Sequence, residues 1–298
     1  MKEAVIDIGS NSMRLTVYEV EEKNFKILFK EKFMAALAGY VESGCISEAG
    51  ILRACTGLLE FKNTLRLLSL DEHVHVFATA SLRNIVNTDD ALAQIKMRTG
   101  FDIDVITGEE ETVLGYVGVM HEIEASEGVF IDIGGASTEI AIFDDHGLLF
   151  SNSFRIGSLK LYKDCVKKIL PGKGSLKRIE KEIDEAIPSD FDDFGKKKQL
   201  ICTGGTARSV LKFAKFLQLV SDDEQLLSYE HLKKLKELFL GDEKKAANVI
   251  LKVDPERIHT IIPGFMILYD IADRFQVEKL MICNYGVREG YLCQRILK

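Results

Sequence analysis

Three short glycine turns, each with a hydroxyl side chain, are the features with the clearest chemical potential. They are Gly9-Ser10-Asn11-Ser12, Gly134-Gly135-Ala136-Ser137 and Gly204-Gly205-Thr206. Glycine lets backbone N–H groups approach phosphate oxygens because no Cβ stands in the way, and the hydroxyls add further donors. One such turn alone is most often only a turn. Three in one chain favour a phosphate-binding cleft.

Two acids lie directly before glycine turns. Asp7 and Asp132 each end an apolar run, and a carboxylate there is costly to bury unless it binds a cation or a hydrogen-bond donor. Mg²⁺ is the cation expected at a phosphate site, since one or two carboxylates and water hold it there. A turn-capping role is the alternative for Asp132. Glu139 is a second candidate ligand, although the intervening turn leaves its orientation relative to Asp132 open.

Further acids and two arginines could complete such a site. Glu109, Glu110 and Glu111 begin a predicted helix, and favourable placement in the helix dipole accounts for one or two of them. Successive helical residues point about 100° apart, so at least one turns inward, where it could serve as a general base for water. Arg14 and Arg83 could form bidentate contacts to phosphate or, alternatively, surface ion pairs.

Strands alternating with helices must position these residues, which is typical of an α/β fold. The segment 4–20 reads as strand, glycine turn and strand. Ser47 is the predicted N-cap of a long helix, and the β-run at 73–80 is followed by a predicted polar turn at 81–84. Gly108 begins another helix. After residue 125 the pattern restarts, which indicates a second domain of similar construction.

An internal repeat supports this division. Residues 7–18 (DIGSNSMRLTVY) align with residues 132–143 (DIGGASTEIAIF) at an offset of 125 positions, with Asp, Ile and Gly identical. Coincidence between two β-hairpins is the alternative, but both copies turn at the same glycine and the period is close to half the chain. We therefore predict two duplicated α/β domains, over 1–124 and 125–298, whose Asp-Ile-Gly turns face a cleft between the domains. The last helix is expected to pack back on the first domain.

Composition limits the class of protein. The 298 residues suffice for two domains, and 46% hydrophobic with 29% charged residues is close to the globular average, which excludes disorder. The net charge is −7, and residues 1–130 carry 12 Lys and Arg against 21 Asp and Glu. A general nucleic-acid binder would usually be basic. The lysine-rich stretches from residue 160 onward are expected to be solvated helix faces. The alternative is a surface along which a polyanion binds.

Three further sequence features bear on the cellular compartment and on membrane binding. No apolar run approaches the roughly 20 residues that span a bilayer, and the N-terminus MKEAVIDIG does not read as a signal peptide. The six cysteines include no CxxC pair, so we expect reduced thiols, most of them buried. These features predict a cytoplasmic protein that binds neither membrane nor nucleic acid.

Seven blocks, in order, resemble the exopolyphosphatase/guanosine-pentaphosphate phosphohydrolase (Ppx/GppA) family. The blocks are DIGSNSMR (7–14), TASLRN (79–84), TGEEE (107–111), DIGGASTE (132–139), CTGGTAR (202–208), IIPGFMIL (261–268) and GVREG (286–290). The match covers nearly the whole chain and resembles the short, two-domain members. The resemblance implies two duplicated actin/hexokinase/Hsp70-like (ribonuclease H-like) domains. It implies removal of terminal phosphate from inorganic polyphosphate or from guanosine penta- or tetraphosphate, by a homodimer.

The resemblance also implies roles for individual residues. Glu111 resembles the catalytic base, and Arg83 resembles a phosphate-binding arginine with a catalytic role. Asp132 and Glu139 resemble the metal-side carboxylates. The metal expected is Mg²⁺, with Mn²⁺ as an alternative and a monovalent cation as a further candidate. The residues that resemble substrate contacts are Asn11, Ser12, Arg14, Gly134, Gly135, Ser137, Gly205 and Thr206.

Three departures from the family pattern bear on substrate preference. Ala136 replaces the third glycine of the DIGGGSTE block, and Thr112-Val113 stand where the family usually has Ala-Arg. The acids and both arginines remain, so we expect hydrolysis to survive. The alternatives are a sensor that binds polyphosphate or guanosine phosphates without turnover, supported only by these departures, and a kinase-like phosphotransferase of the same superfamily.

Overall fold

The computed structural model describes residues 1–22, 24–70, 73–188 and 194–297, and the chain divides into two units. Unit 1 consists of Met1–Leu114 and Arg288–Lys298, and unit 2 of Gly115–Val287. The division between the units falls inside the helix Gly108–Glu122, before the boundary predicted between residues 124 and 125. The end of the chain belongs to unit 1. Each unit contains its own sheet and its own buried core.

Unit 1 combines a mixed sheet with four helices that follow its strands. Its strands are β1 (Lys2–Ile8), β2 (Met13–Glu21), β3 (Asn24–Phe33), β4 (Val41–Glu42), β5 (Cys45–Ile46), β6 (Val74–Ala78) and β7 (Asp104–Val105). Its helices are α1 (Glu48–Leu67), α2 (Ala80–Arg83), α3 (Thr88–Thr99) and the first turns of α4 (Gly108–Glu122).

Strand order in unit 1 is β3-β2-β1-β6-β7. The first three strands are antiparallel, whereas β1, β6 and β7 are parallel. Ser47 caps α1 by accepting from the Gly50 N–H at 3.3 Å, and Gly100 ends α3 with φ +80°, as their positions in the sequence predict. The turn predicted at 81–84 is wrong: Ala80–Arg83 form α2, because the Ser81 hydroxyl donates to the Ile8 carbonyl at 2.6 Å and docks this segment on β1.

Unit 2 repeats this arrangement with additional helices. Its strands are β8 (Gly128–Ile133), β9 (Thr138–Asp144), β10 (Gly147–Phe154), β11 (Gln199–Thr203), β12 (Leu226–Ser228) and β13 (Lys279–Ile282). Its helices, besides the rest of α4, are α5 (Ser158–Cys165), α6 (Lys173–Ala186), α7 (Gly204–Phe216), α8 (Tyr229–Leu240), α9 (Glu243–Val253) and α10 (Ile261–Arg274). The short α11 (Val287–Tyr291) leads back into unit 1.

The two sheets share one topology. The order in unit 2 is β10-β9-β8-β11-β13, with β12 added at the edge. Again the first three strands are antiparallel, and β8, β11 and β13 are parallel. Asp7 lies opposite Arg14 in the first hairpin, and Asp132 lies opposite Glu139 in the second. The predicted α/β class and the predicted duplication are therefore confirmed.

The state of the cysteines agrees with the prediction from the sequence. The six cysteines are free, with Cys55, Cys165, Cys202 and Cys283 buried and Cys45 and Cys293 partly exposed. This confirms that most serve as small hydrophobic core residues. Among the described residues, none of the helices combines the length and apolar character that crossing a membrane requires.

Candidate active site

In unit 1, three segments begin where the parallel strands end. The turn at 9–12 follows β1, α2 follows β6, and α4 follows β7. Ile8 pairs with Ala78, and Ala78 with Val105, so the carboxyl ends of the three strands lie side by side. Ligands of open α/β sheets bind outside this edge. The fold therefore gathers the predicted base and both predicted arginines at one edge of the sheet.

Arg83 and Glu111 are in direct contact there. The Arg83 Nη1 group donates to Glu111 Oε2 at 2.8 Å and to the Ile106 carbonyl at 3.0 Å. Their side chains are only 15% and 13% exposed, so the pair is shielded more than a surface ion pair. The guanidinium holds the carboxylate in one orientation. The structure thus brings the two predicted catalytic residues together.

The neighbouring Glu110 has a different role. Glu110 Oε2 accepts from the Thr107 N–H at 2.8 Å, and the Thr107 hydroxyl accepts from the Glu110 N–H at 3.1 Å. This is a capping box at the start of α4. The hydrogen bond from the Thr107 backbone, aided by Arg295, lowers the pKa of Glu110. Glu110 therefore stabilises the helix end that presents Glu111.

The first glycine turn is built by its backbone. Gly9 N–H donates to the Ser12 carbonyl at 3.2 Å, and the Asn11 carbonyl accepts from the Ala36 N–H at 2.8 Å. Arg14, the second residue of β2, lies opposite Asp7, so their side chains share one face of the sheet. The predicted contacts Asn11, Ser12 and Arg14 thus lie on a single hairpin end.

In unit 2, the two predicted metal carboxylates share one face of a hairpin. Asp132 and Glu139 are register partners on β8 and β9, and directly opposite residues of antiparallel strands project to the same side. Glu139 is only 3% exposed, and Glu139 Oε1 accepts from the Ser153 hydroxyl at 2.7 Å. Two like charges opposite each other repel, and the Arg257 guanidinium is one group whose positive charge acts on Asp132.

The second glycine turn matches the first. Gly134 N–H donates to the Ser137 carbonyl at 2.9 Å, as Gly9 does to Ser12. The Gly134 carbonyl accepts from the Ser158 N–H, and the Gly135 carbonyl accepts from the first N–H groups of α5. The turn is thereby fixed against α5. The predicted contacts Gly134, Gly135 and Ser137 lie together beside Asp132.

The third turn begins α7 next to Asp132. Gly204 has φ +84°, and a Cβ there would lie 2.0 Å from Asp132 Oδ1. Position 205 must also be glycine, because a Cβ there would lie 1.9 Å from Arg257 Nη2. Thr206, a predicted substrate contact, is buried, and its hydroxyl donates to the Ile133 carbonyl at 3.3 Å. Its contact with substrate stays a prediction.

Sequence analysis missed Arg257. This half-buried guanidinium packs over Gly205 at the start of α7. Burial lowers the pKa of Arg257, and the carboxylates of Asp254, Glu256 and Asp132 oppose that shift. Arg257 lies in no glycine turn and about fifty positions from Gly205 in the chain. The residues DPER just before the IIPGFMIL block are the only nearby signal.

We expect Gly204→Ala to destabilise unit 2 by more than about 2 kcal/mol, since it combines the left-handed backbone cost of about 1–2 kcal/mol with displacement of Asp132. Gly195→Ala is the matched control, because Gly195 has φ +65° but nothing lies within 4 Å of its added Cβ. Urea unfolding of both variants measures the difference. Equal losses would show that the contact with Asp132 adds nothing.

The fold and these strand-end turns define an α/β protein of the phosphoryl-transfer type. Residues 16–298 match the Ppx/GppA phosphatase family, and the chain belongs to that family. The sequence resemblance is thereby confirmed. As a family member the chain is an enzyme, a hydrolase of phosphoanhydride bonds.

Individual relatives agree with this assignment. A Haemophilus influenzae protein provisionally named an exopolyphosphatase is 27% identical, over 97% of this chain and 90% of its own length. A Vibrio atlanticus guanosine-5'-triphosphate,3'-diphosphate pyrophosphatase is 26% identical, over 96% of this chain but 58% of its own length. The crystal structure of a Cytophaga hutchinsonii exopolyphosphatase has a TM-score of 0.86, at 21% identity over 98% of this chain and 96% of that one. This last likeness establishes the fold alone.

Proposed function

We propose that this enzyme hydrolyses the terminal phosphoanhydride bond of inorganic polyphosphate, or the 5′-terminal one of guanosine pentaphosphate. The names of the relatives support both substrate classes. The observation that carries the proposal is the shielded Arg83–Glu111 pair at the carboxyl edge of the unit 1 sheet. It places a fixed carboxylate and a fixed guanidinium where a terminal phosphoryl group and a water molecule could bind together.

Glu111 orients the attacking water and receives its proton. An ionised carboxylate beside a guanidinium is a weak base, so it takes the proton late, when the water oxygen is already bonding to phosphorus. This suits the loose transition state of phosphoryl transfer, in which positioning and electrostatics supply most of the catalysis. Arg83 keeps one Glu111 oxygen occupied at 2.8 Å, which fixes the direction in which the carboxylate faces.

Each unit, considered by itself, offers backbone and guanidinium groups suited to phosphate oxygens. In unit 1 these are the turn at 9–12 and Arg14. In unit 2 they are the turn at 134–137 and the start of α7, where Gly205 lets an anion approach the first N–H groups of a helix. Arg257, which packs at Gly205, adds a charge suited to bidentate phosphate contacts. Thr206 contributes by fixing Ile133.

Asp132 and Glu139 fit a magnesium ion. They share one face of the β8–β9 hairpin, and the described residues contain no cluster of three or more metal-binding side chains. Mg²⁺ prefers such sparse protein ligation, with water and phosphate oxygens completing its shell. The bound ion would neutralise charge on the phosphate oxygens. Mn²⁺ would fit the same oxygen ligands.

Phosphate release tests the proposal. The full chain is incubated with polyphosphate or guanosine pentaphosphate, with and without Mg²⁺, and free phosphate is measured with time. We expect Mg²⁺-dependent release from at least one substrate. Tight binding of both without release would favour a sensor. Transfer of the phosphoryl group from ATP to an acceptor, with ADP formed, would favour a kinase-like phosphotransferase.

A further inference from the structure

The end of the chain is built into unit 1, although the whole of unit 2, Gly115–Val287, separates it in sequence from the rest of that unit. Residues 288–296, which we call the C-terminal brace, comprise the last part of α11 and the helical turn Leu292–Ile296. The brace contacts both the sheet of unit 1 and the first turns of α4. Those turns carry Glu111.

The sheet side of the brace is buried. The Tyr18 hydroxyl on β2 donates to Glu289 Oε1 at 2.9 Å, and both residues are fully buried. The Tyr291 ring stacks on Phe77 of β6 at 4.8 Å, and the Tyr291 hydroxyl donates to Asp104 of β7 at 3.0 Å. The brace is therefore anchored to three strands of the sheet, two of which end at the site.

The helix side of the brace approaches the α4 backbone directly. A Cβ on Gly290 would lie 1.8 Å from the Leu114 carbonyl oxygen and 2.6 Å from its carbonyl carbon. Real Cβ atoms do not approach backbone this closely, so only glycine permits this contact. Leu114 lies three residues after Glu111, about one helical turn away. Any side chain at position 290 would push this part of α4 away from the sheet.

A second contact reaches the start of α4. Arg295 Nη2 donates to Glu110 Oε1 at 2.7 Å, while the other oxygen of Glu110 closes the capping box with Thr107. Arg295 thus holds the carboxylate that orders the first turn. Glu111 is the next residue, and its partner Arg83 is tied to Ile106, just before the same turn.

We propose that the C-terminal brace positions Glu111 for catalysis, with Gly290 and Arg295 as positioning residues. Gly290 sets the distance of α4 from the sheet, and Arg295 sets the rotation of its first turn through Glu110. Neither touches substrate. The inference rests on the proposed role of Glu111 as the base. It predicts that disturbing the brace lowers kcat while substrate affinity, which depends on other segments, stays unchanged.

Arg295→Gln is the main test, with Arg98→Gln as its matched control. Arg98 also pairs with a glutamate in unit 1, Glu48, at 2.6 Å, but on α1 and α3. Both pairs are partly exposed, so neither loss should change the urea unfolding midpoint appreciably. We expect Arg295→Gln to lower kcat about fivefold to tenfold, since a shift well below 1 Å costs less than about 100-fold. KM should stay within about twofold. Arg295→Lys should restore most of kcat, and Arg98→Gln should leave kcat unchanged.

Gly290→Ala should have the larger effect, about 100-fold in kcat, with native circular dichroism and unchanged KM. If this variant does not fold, the Arg295 series decides alone. A kcat for Arg295→Gln no lower than that for Arg98→Gln would overturn the inference. Glu111→Gln distinguishes failure of the proposed base from failure of the brace inference. If it loses phosphate release while Arg295→Gln does not, only the brace inference fails; if it stays active, the proposed base is wrong and the inference fails with it.

Discussion

Glu111→Gln should lower the rate of phosphate release about 10²–10⁴-fold, the usual contribution of a positioned general base. The amide keeps the size of the carboxylate, and its oxygen can still accept from Arg83, which now lies 2.8 Å from Glu111 Oε2. What is lost is the negative charge that orients water and receives its proton. Single-turnover release of phosphate from polyphosphate or guanosine pentaphosphate measures the loss directly.

The control lies in the same helical turn. Glu109→Gln removes the same charge from the first turn of α4, so it tests whether the local field alone explains the effect. We expect Glu109→Gln to retain activity within about threefold, and Glu111→Gln to bind polyphosphate as tightly as the unchanged protein. Near-full activity of Glu111→Gln, or an equal loss in Glu109→Gln, would contradict the assignment of Glu111 as base.

The fold could be predicted from sequence where the signal is local or repeated. The hairpin around Asp7 and its copy around Asp132 define equivalent strands, and the shared strand order follows from that repeat. Caps at Ser47 and Gly100 were readable for the same reason, since each acts on its own helix. The segment 81–84 carries turn residues, yet Ala80–Arg83 are helical because Ser81 bonds to Ile8, a contact between distant residues.

The site was predictable in its residue types but less so in its geometry. The spacing of Thr107 and Glu110 is a capping-box signature, which could have separated Glu110 from Glu111 in sequence. Asp132 and Glu139 lie on one face because of the register of the hairpin. The sequence of the turn between them does not reveal that register. Arg257 packs against Gly205 because of the tertiary fold, so no local sequence pattern predicts this contact. Catalytic and metal roles remain predictions, as does the homodimer.

If the enzyme binds Mg²⁺ as proposed, the repeat predicts which unit provides the ligands. Equivalent positions carry Asp7 opposite Arg14 in unit 1 and Asp132 opposite Glu139 in unit 2. The first pair has opposite charges and needs no ion. The second has like charges, and Glu139 is almost completely buried, so a cation stabilises it far more. Magnesium dependence should therefore map to the second hairpin and not to the first.

Glu139→Gln should raise the Mg²⁺ concentration for half-maximal activity about 10–100-fold, the usual cost of disturbing metal ligation. The amide keeps the contact with Ser153 but removes one of the two charges that attract the ion. Asp7→Asn makes the equivalent charge change in the first hairpin and should leave that concentration unchanged, whatever it does to kcat. Activity titrated with Mg²⁺, and Mn²⁺ binding followed by electron paramagnetic resonance, measure both. If Glu139→Gln keeps the half-maximal Mg²⁺ concentration of the unchanged protein, the metal does not depend on this pair, and the proposed magnesium site is wrong.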